Sequence, residues 1–153
     1  MNYSEDLTVS FLGPAWAEEL LKFAILYFIV MKRNEFNEPM DGLVYGVTVS
    51  LGFATYENYT YVYEWAVAIA KEENFSADAF SYLVALGRSY SAIPLHGFNG
   101  AVMGYYFGMY AFTGNKNYLV LSLALPYLFH GFYNYLLFPN SMIIIIILVI
   151  FSL

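Results

Sequence analysis

Long apolar blocks separated by short polar breaks set the pattern of this chain. The first block opens as "GPAWAEELLK" and runs on through "FAILYFIVM" to Lys32 and Arg33. About 20 predominantly apolar residues cross a hydrocarbon core as a helix. The pattern therefore predicts a first span from about Pro14 to Met31, with proline in its favoured first turn and two cations as the stop. A polar loop, "KRNEFNEPMDG", leads to a second span from about Met40 to Glu64, with helix continuing through "WAVAIA" toward "KEEN". Residues 77–88, "ADAFSYLVALGR", are too short to span and predict an interfacial helix ending at Arg88. A third span covers about Ser89 to Phe112, closed by the turn residues "TGNKN". The fourth covers about Tyr118 to Phe138 and ends at "PNS". The tail "MIIIIILVIFSL" is apolar to its last residue; at about 1.5 Å per residue it reaches some 18 Å, a short or incomplete span. The expected fold is all-α. It is a polytopic membrane helical bundle of about four to five transmembrane helices plus an interfacial helix, in one domain over 1–153.

Composition agrees on the solvent. The 153 residues are 60% hydrophobic and 12% charged, about half the charged share of an ordinary soluble domain. A soluble core cannot hide apolar runs of this length and number, so lipid is the expected partner of the surface. The net charge of −6 is spread along the chain without a basic stretch, which argues against nucleic acid. The absence of cysteine excludes disulfides, thiolate catalysis and Cys-based metal sites. The start, "MNYSEDLTVS", does not read as a signal peptide. Glycines recur at "GLVYGVTVSLG" and "GFNGAVMGYYFG", a spacing that lets membrane helices approach closely, so these stretches are expected packing faces.

Five ionisable residues interrupt the apolar blocks: Glu18, Glu19, Glu57, His96 and His130. A charge at a helix centre costs about 2.5–3.5 kcal/mol on insertion scales, so such residues normally face a cavity or a partner. Successive spans alternate direction, and depths can be counted from one membrane face. Glu18 follows Pro14 by four residues, Glu57 precedes Glu64 by seven, His96 follows Arg88 by eight and His130 precedes Pro139 by nine. At about 1.5 Å per residue all four lie some 6–14 Å below the same surface. Scattered interfacial acids need not agree on a side. Each residue also has an ordinary explanation: acids suit a helix start, Glu18 and Lys22 form an i,i+4 pair in the favourable order, and a lone mid-helix histidine commonly packs through hydrogen bonds. Glu57 has no basic residue nearby in sequence. Both histidines are followed by glycine, which leaves space around the ring, and His130 shares a helix face with Asn134. The group as a whole predicts one shared polar site.

A carboxylate out of bulk water suits a general base acting on water. Histidine and asparagine can donate to a developing oxyanion. Two glutamates and two histidines, Glu19, Glu57, His96 and His130, also suffice to ligate a divalent metal such as zinc. No cysteine or G-x-S-x-G motif is present, and no base sits at a telling spacing from Ser50, Ser89 or Ser91, so water is the natural nucleophile.

At these residues the sequence resembles a known family. "EELLK" (Glu18, Glu19, Lys22), "FATYEN" (Phe53, Glu57, Asn58), "RSYSAIPLHGFNGAVMGYYFG" (Arg88, His96, Gly100) and "HGFYN" (His130, Asn134) occur in the order seen in PrsW-type intramembrane proteases. These belong to the superfamily of CAAX prenyl endoproteases and bacteriocin-processing enzymes. The loop "EFNEPMDGLVYG" is similar as well. The resemblance covers about residues 13–138; each motif alone is weak, and four in order are specific. It implies a glutamic-type mechanism, described in some accounts as that of a metalloprotease. Glu18 and Glu19 match the essential acidic pair, Glu57 and His96 the second and third motifs, and His130 with Asn134 the last. It further implies a multi-pass protein of a prokaryotic cell membrane and a membrane-anchored, anti-sigma-factor-like substrate cut on its extracytoplasmic side. One departure is that family members usually carry further spans before the double-glutamate helix, and none is visible here.

The leading expectation is an intramembrane endopeptidase in which Glu19 or Glu18 activates water. Glu57 and His96 complete the polar site, and His130 with Asn134 steadies the oxyanion. No cofactor is required on this reading, and a divalent metal is the alternative. Two other readings stand beside it: a non-catalytic membrane scaffold or binding protein of the same fold, and an ion or proton transporter, against which the short chain without an inverted repeat counts. Lys32, Arg33 and Lys116 fall on one side of the bundle and Lys71 and Arg88 on the other, so the positive-inside rule places the 32–39 and 113–117 loops in the cytoplasm by a margin of one charge.

Overall fold

A computed structural model describes residues 8–137, and no strand occurs among them. The chain enters in helical form and passes through a wide π-helical turn, Phe11–Ala15. Pro14 has no N–H to donate there, and the backbone leaves helical dihedrals at Gly13 (φ −88°, ψ −129°). Helix α1, Trp16–Phe28, follows and closes in a tight turn at Val30–Lys32. Helix α2, Pro39–Tyr59, opens with proline in its first turn. The Asp41 carboxylate accepts the N–H groups of Asn37 and Glu38, both at 2.9 Å, which satisfies donors left orphaned at a helix start. A second wide turn, Thr60–Trp65, carries the helix on into α3, Ala66–Glu72. The expected continuation toward "KEEN" is thus present, with a local widening where the second span was expected to end.

Helix α4, Ala77–Tyr90, starts at Ser76, whose hydroxyl accepts from the Ala79 N–H. It runs two residues beyond the expected end at Arg88. Helix α5, Ala92–Thr113, ends at Gly114, whose φ of +70° is the left-handed cap that glycine adopts without strain. Helix α6 spans Lys116–Leu137. The expected short span in the tail from Met142 lies outside the described residues.

The closest packing is between α2 and α5, along a seam of glycines. A Cβ on Gly46 would strike the Gly100 carbonyl, and one on Gly104 the Gly42 carbonyl. Gly52, from the same glycine-rich stretch, faces open space and takes no part in the seam. Close approach of the two backbones brings the Ser50 hydroxyl within 2.6 Å of the His96 carbonyl, to which it donates. One end of this bundle is apolar: Leu26 and Val30 pack with Met103 and Phe107 of α5. Phe23 and Phe36 meet the Phe107 ring at centroid distances of 6.1 and 6.0 Å.

Among the described residues, no helix is both long and apolar enough to cross a membrane. Length is not the shortfall, since α2 has 21 residues and α5 and α6 have 22 each. The glycines, tyrosines and buried polar side chains along these helices lower their mean hydropathy. The sequence pattern counted the same stretches as spans because it weighed runs of apolar residues and read the polar ones as exceptions.

Candidate functional site

Helix α1 carries Glu18, Glu19 and Lys22 on consecutive turns. Glu19 and Lys22 are buried, at 0% and 1% exposure, whereas the Glu18 side chain keeps 18% of its surface. Lys22 Nζ donates to Glu19 Oε1 at 2.7 Å and lies 3.8 Å from Glu18 Oε2. The expected i,i+4 pair with Glu18 is therefore the looser contact, and Glu19 at i,i+3 is the tighter one. Helix geometry puts both acids within reach of one lysine; the burial of the Glu19 face decides between them.

Three other helices converge on that lysine. His96 of α5 places Nδ1 at 3.0 Å from Lys22 Nζ. Its Nε2 lies 2.9 Å from Glu57 Oε2 of α2. His130 of α6 places Nδ1 at 2.8 Å from Glu19 Oε1. The two imidazoles meet edge to face with centroids 5.4 Å apart. The result is one continuous chain of contacts, Glu57–His96–Lys22–Glu19–His130, with Glu18 beside its centre. Asn134, one turn beyond His130, lines a cavity of about 550 Å³ together with Glu57, Tyr61, Trp65, Ser10 and Pro14. The wide turns Phe11–Ala15 and Thr60–Trp65 both contribute to that wall, in keeping with the frequent placement of π-helical widening at functional sites.

Glu57 gains a partner that its sequence neighbourhood did not offer. Arg88 of α4 donates from Nη2 to Glu57 Oε2 at 2.7 Å and from Nε to the Asn58 Oδ1, and its guanidinium lies over the Tyr61 ring at 4.4 Å. Reading Arg88 as the end of an interfacial helix overlooked this fork, although Arg88 opens the motif that also carries His96. The space expected beside the histidines is also used differently at each. A Cβ on Gly131 would run into the Phe11 ring, whereas one on Gly97 would meet only Leu51, at 3.8 Å. Asn99, one turn beyond His96, is a further buried polar residue that the sequence pattern did not single out.

Two oxygens stand out chemically. Among the described residues, neither Glu18 Oε2 nor Glu19 Oε2 has a hydrogen-bond partner, although both are buried atoms. Glu19 already spends its other oxygen on Lys22 and His130. Glu18 is the less committed carboxylate.

The residues whose ligand atoms converge are Glu18, Glu57 and His96, all within 4.8 Å of one another. The four-residue set Glu19, Glu57, His96 and His130 does not converge in this way, because Lys22 stands between Glu19 and His96. Two carboxylates and an imidazole are a suitable donor set for a three-ligand catalytic site. As hydrogen-bonded here, however, they do not fit a dication: Lys22 contacts His96 and approaches Glu18, and Arg88 is paired to Glu57.

A family profile described as "PrsW family intramembrane metalloprotease" matches residues 1–153. A "Protease PrsW" of Clostridioides difficile is 34% identical over 153 residues, covering 97% of this chain and 60% of the relative. One of Geobacillus kaustophilus is 37% identical over 134 residues, covering 86% and 53%. One of Bacillus subtilis is 37% identical over 132 residues, covering 84% and 54%. The chain thus spans between about half and three fifths of the length of these relatives. No solved structure matches it.

Proposed function

The chain belongs to the PrsW family of intramembrane proteases, and from that premise we propose that it is an integral membrane endopeptidase using water activated by a glutamate. The observation that carries this reading is the inverted distribution of polarity. Glu19, Lys22, His96, Asn99 and His130 are buried, while large apolar side chains such as Leu12, Phe28, Leu83, Val120 and Phe132 are exposed. A water-facing exterior favours the opposite arrangement, and ionisable groups turned inward among lipid-facing helices commonly mark a functional site. Helices α1, α2, α5 and α6 are then the membrane-embedded elements, α4 lies at the interface, and Tyr residues within the helices account for their modest hydropathy.

Glu18 is the base in this mechanism. It is partly exposed, and its Oε2 has no hydrogen-bond partner among the described residues. It takes a proton from water as the water oxygen attacks the scissile carbonyl carbon. The carbonyl oxygen becomes an oxyanion, and the C–N bond then breaks as the leaving nitrogen receives the proton held by Glu18. Asn134 offers its carboxamide N–H to the oxyanion from the cavity wall. His130 already directs Nδ1 at Glu19 Oε1, so it joins Asn134 as a donor only in its doubly protonated form. Glu19 acts differently from Glu18: it holds Lys22 and His130 in register. The substrate class suggested by the family is a membrane-anchored protein.

The test compares Glu18→Gln with Glu19→Gln, using a single-span membrane reporter and thermal unfolding in detergent. Glu18→Gln is expected to lower cleavage by about 10²–10⁴-fold and leave the unfolding midpoint near that of the parent. Glu19→Gln is expected to lower both, because it removes the charge that compensates a buried lysine. Cleavage by Glu18→Gln at the parental rate would overturn the assignment of the base. A parental protein that cleaves no single-span reporter favours the scaffold reading.

A further inference from the structure

We propose that the Lys22 ammonium is the resident cation of this site, standing among the donors where a divalent ion would otherwise be ligated. Its Nζ lies 2.7 Å from Glu19 Oε1, 3.0 Å from His96 Nδ1 and 3.8 Å from Glu18 Oε2, and its side chain is 1% exposed. An ammonium has three N–H groups and no acceptor; Glu19 Oε1 and His96 Nδ1 stand at hydrogen-bond distance from it, and Glu18 Oε2 at ion-pair distance. The Phe53 ring closes part of the remaining side, 5.5 Å from Nζ.

The consequence reaches His96. Since Lys22 can only donate, Nδ1 must accept, and the proton of a neutral His96 ring sits on Nε2. That N–H points at Glu57 Oε2, 2.9 Å away. In this tautomer His96 presents a proton, not a lone pair, to the point where Glu18, Glu57 and His96 converge. A dication there would also sit close to Lys22 and Arg88, and like charges at such separations in a poorly solvated interior repel strongly. The charge pattern closes without a metal. Of the three carboxylates in the cluster, Glu19 is paired closely with Lys22 and Glu57 with Arg88, and Glu18 has only the looser contact with Lys22. Lys22 is thus a positioning residue: it sets the His96 tautomer and leaves Glu18 only loosely paired.

The inference shares with the proposed function only the location of the site, and its test reads metal uptake and folding in place of cleavage. The full chain in detergent is stripped with a chelator, equilibrated with zinc and desalted; bound zinc and the unfolding midpoint are then measured. The parent is expected to retain no stoichiometric zinc and to show the same midpoint with and without chelator. Lys22→Ala is expected to unfold about 10 °C lower, as loss of one partner of a buried ion pair implies. It should then take up about one equivalent of zinc on the vacated donors and recover stability. Adding Glu18→Gln should abolish that uptake, and Lys22→Arg should bind none. A parent that retains one equivalent of zinc and loses stability with chelator overturns the proposal, as does a folded Lys22→Ala that takes up none. If Lys22→Ala does not fold, the parent and Lys22→Arg decide: zinc uptake by either overturns it, and chelator-insensitive unfolding of both with no uptake supports it.

Discussion

The two ends of α1 and α5 use the same backbone to opposite purposes. At one end these helices bury Glu19, Lys22 and His96; two turns further on they bury Leu26, Met103 and Phe107. The apolar end holds by shape and area alone, and its contacts have no direction beyond ring geometry, as in the edge-on meeting of Phe23 and Phe107. The polar end holds by a chain of directed contacts between 2.7 and 3.0 Å. An error at the first end leaves a cavity, whose cost grows with its volume. At the second it leaves an unpaired charge, whose cost does not depend on volume at all. The difference teaches where function and stability separate. Substitutions at the apolar end are expected to move unfolding with little change in chemistry, and substitutions at the polar end to move both.

The largest expected effect tests the apolar end. Phe107 is fully buried, and truncation to alanine removes a ring that four aromatic neighbours approach. Phe107→Ala is expected to cost about 3–5 kcal/mol of unfolding free energy, read by denaturant titration. Folded protein at low temperature should still cleave the reporter, and a loss of cleavage under those conditions would show that the two ends are coupled.

The seam between the ends comes next. Gly104→Ala forces a methyl group against the Gly42 carbonyl, and the α2–α5 pair has no flexible side chain there to yield. Overpacking of this kind is expected to cost about 1–3 kcal/mol. Spreading the pair should also separate Ser50 from the His96 carbonyl, so cleavage is expected to fall along with the midpoint. A normal cleavage rate with a lowered midpoint would show that the polar chain holds α5 in place without the seam.

The smallest effect belongs to the rim of the polar end. Arg88 bridges Glu57 and Asn58 with a planar fork that lysine cannot reproduce. Arg88→Lys keeps the charge and loses one charge-assisted hydrogen bond, and cleavage is expected to fall roughly tenfold, equivalent to about 1.4 kcal/mol. The unfolding midpoint should shift little. A large drop in stability would mean that α4 is clamped to the bundle chiefly by this residue, and that the rim belongs with the core.

Much of the arrangement was legible in the linear pattern. Apolar runs marked α1, α2, α5 and α6 within a few residues, because each run is long and its breaks are proline, glycine and charged turns. Counting residues from the polar breaks put Glu18, Glu57, His96 and His130 at one depth, because helix rise is constant and depth along an axis is a local property. The candidate residues themselves were visible as ionisable exceptions in apolar context. Rotation about each helix axis, by contrast, is set by what the neighbouring helices present, and only the packed bundle decided it. That rotation turned Glu19 inward to Lys22 and left Glu18 partly exposed, although the two are adjacent in sequence. It brought Arg88 to Glu57 across 31 positions and Lys22 to His96 across 74. A lysine's partner depends on which acceptors lie within a few ångströms of its tip, and sequence separation carries no information about that distance.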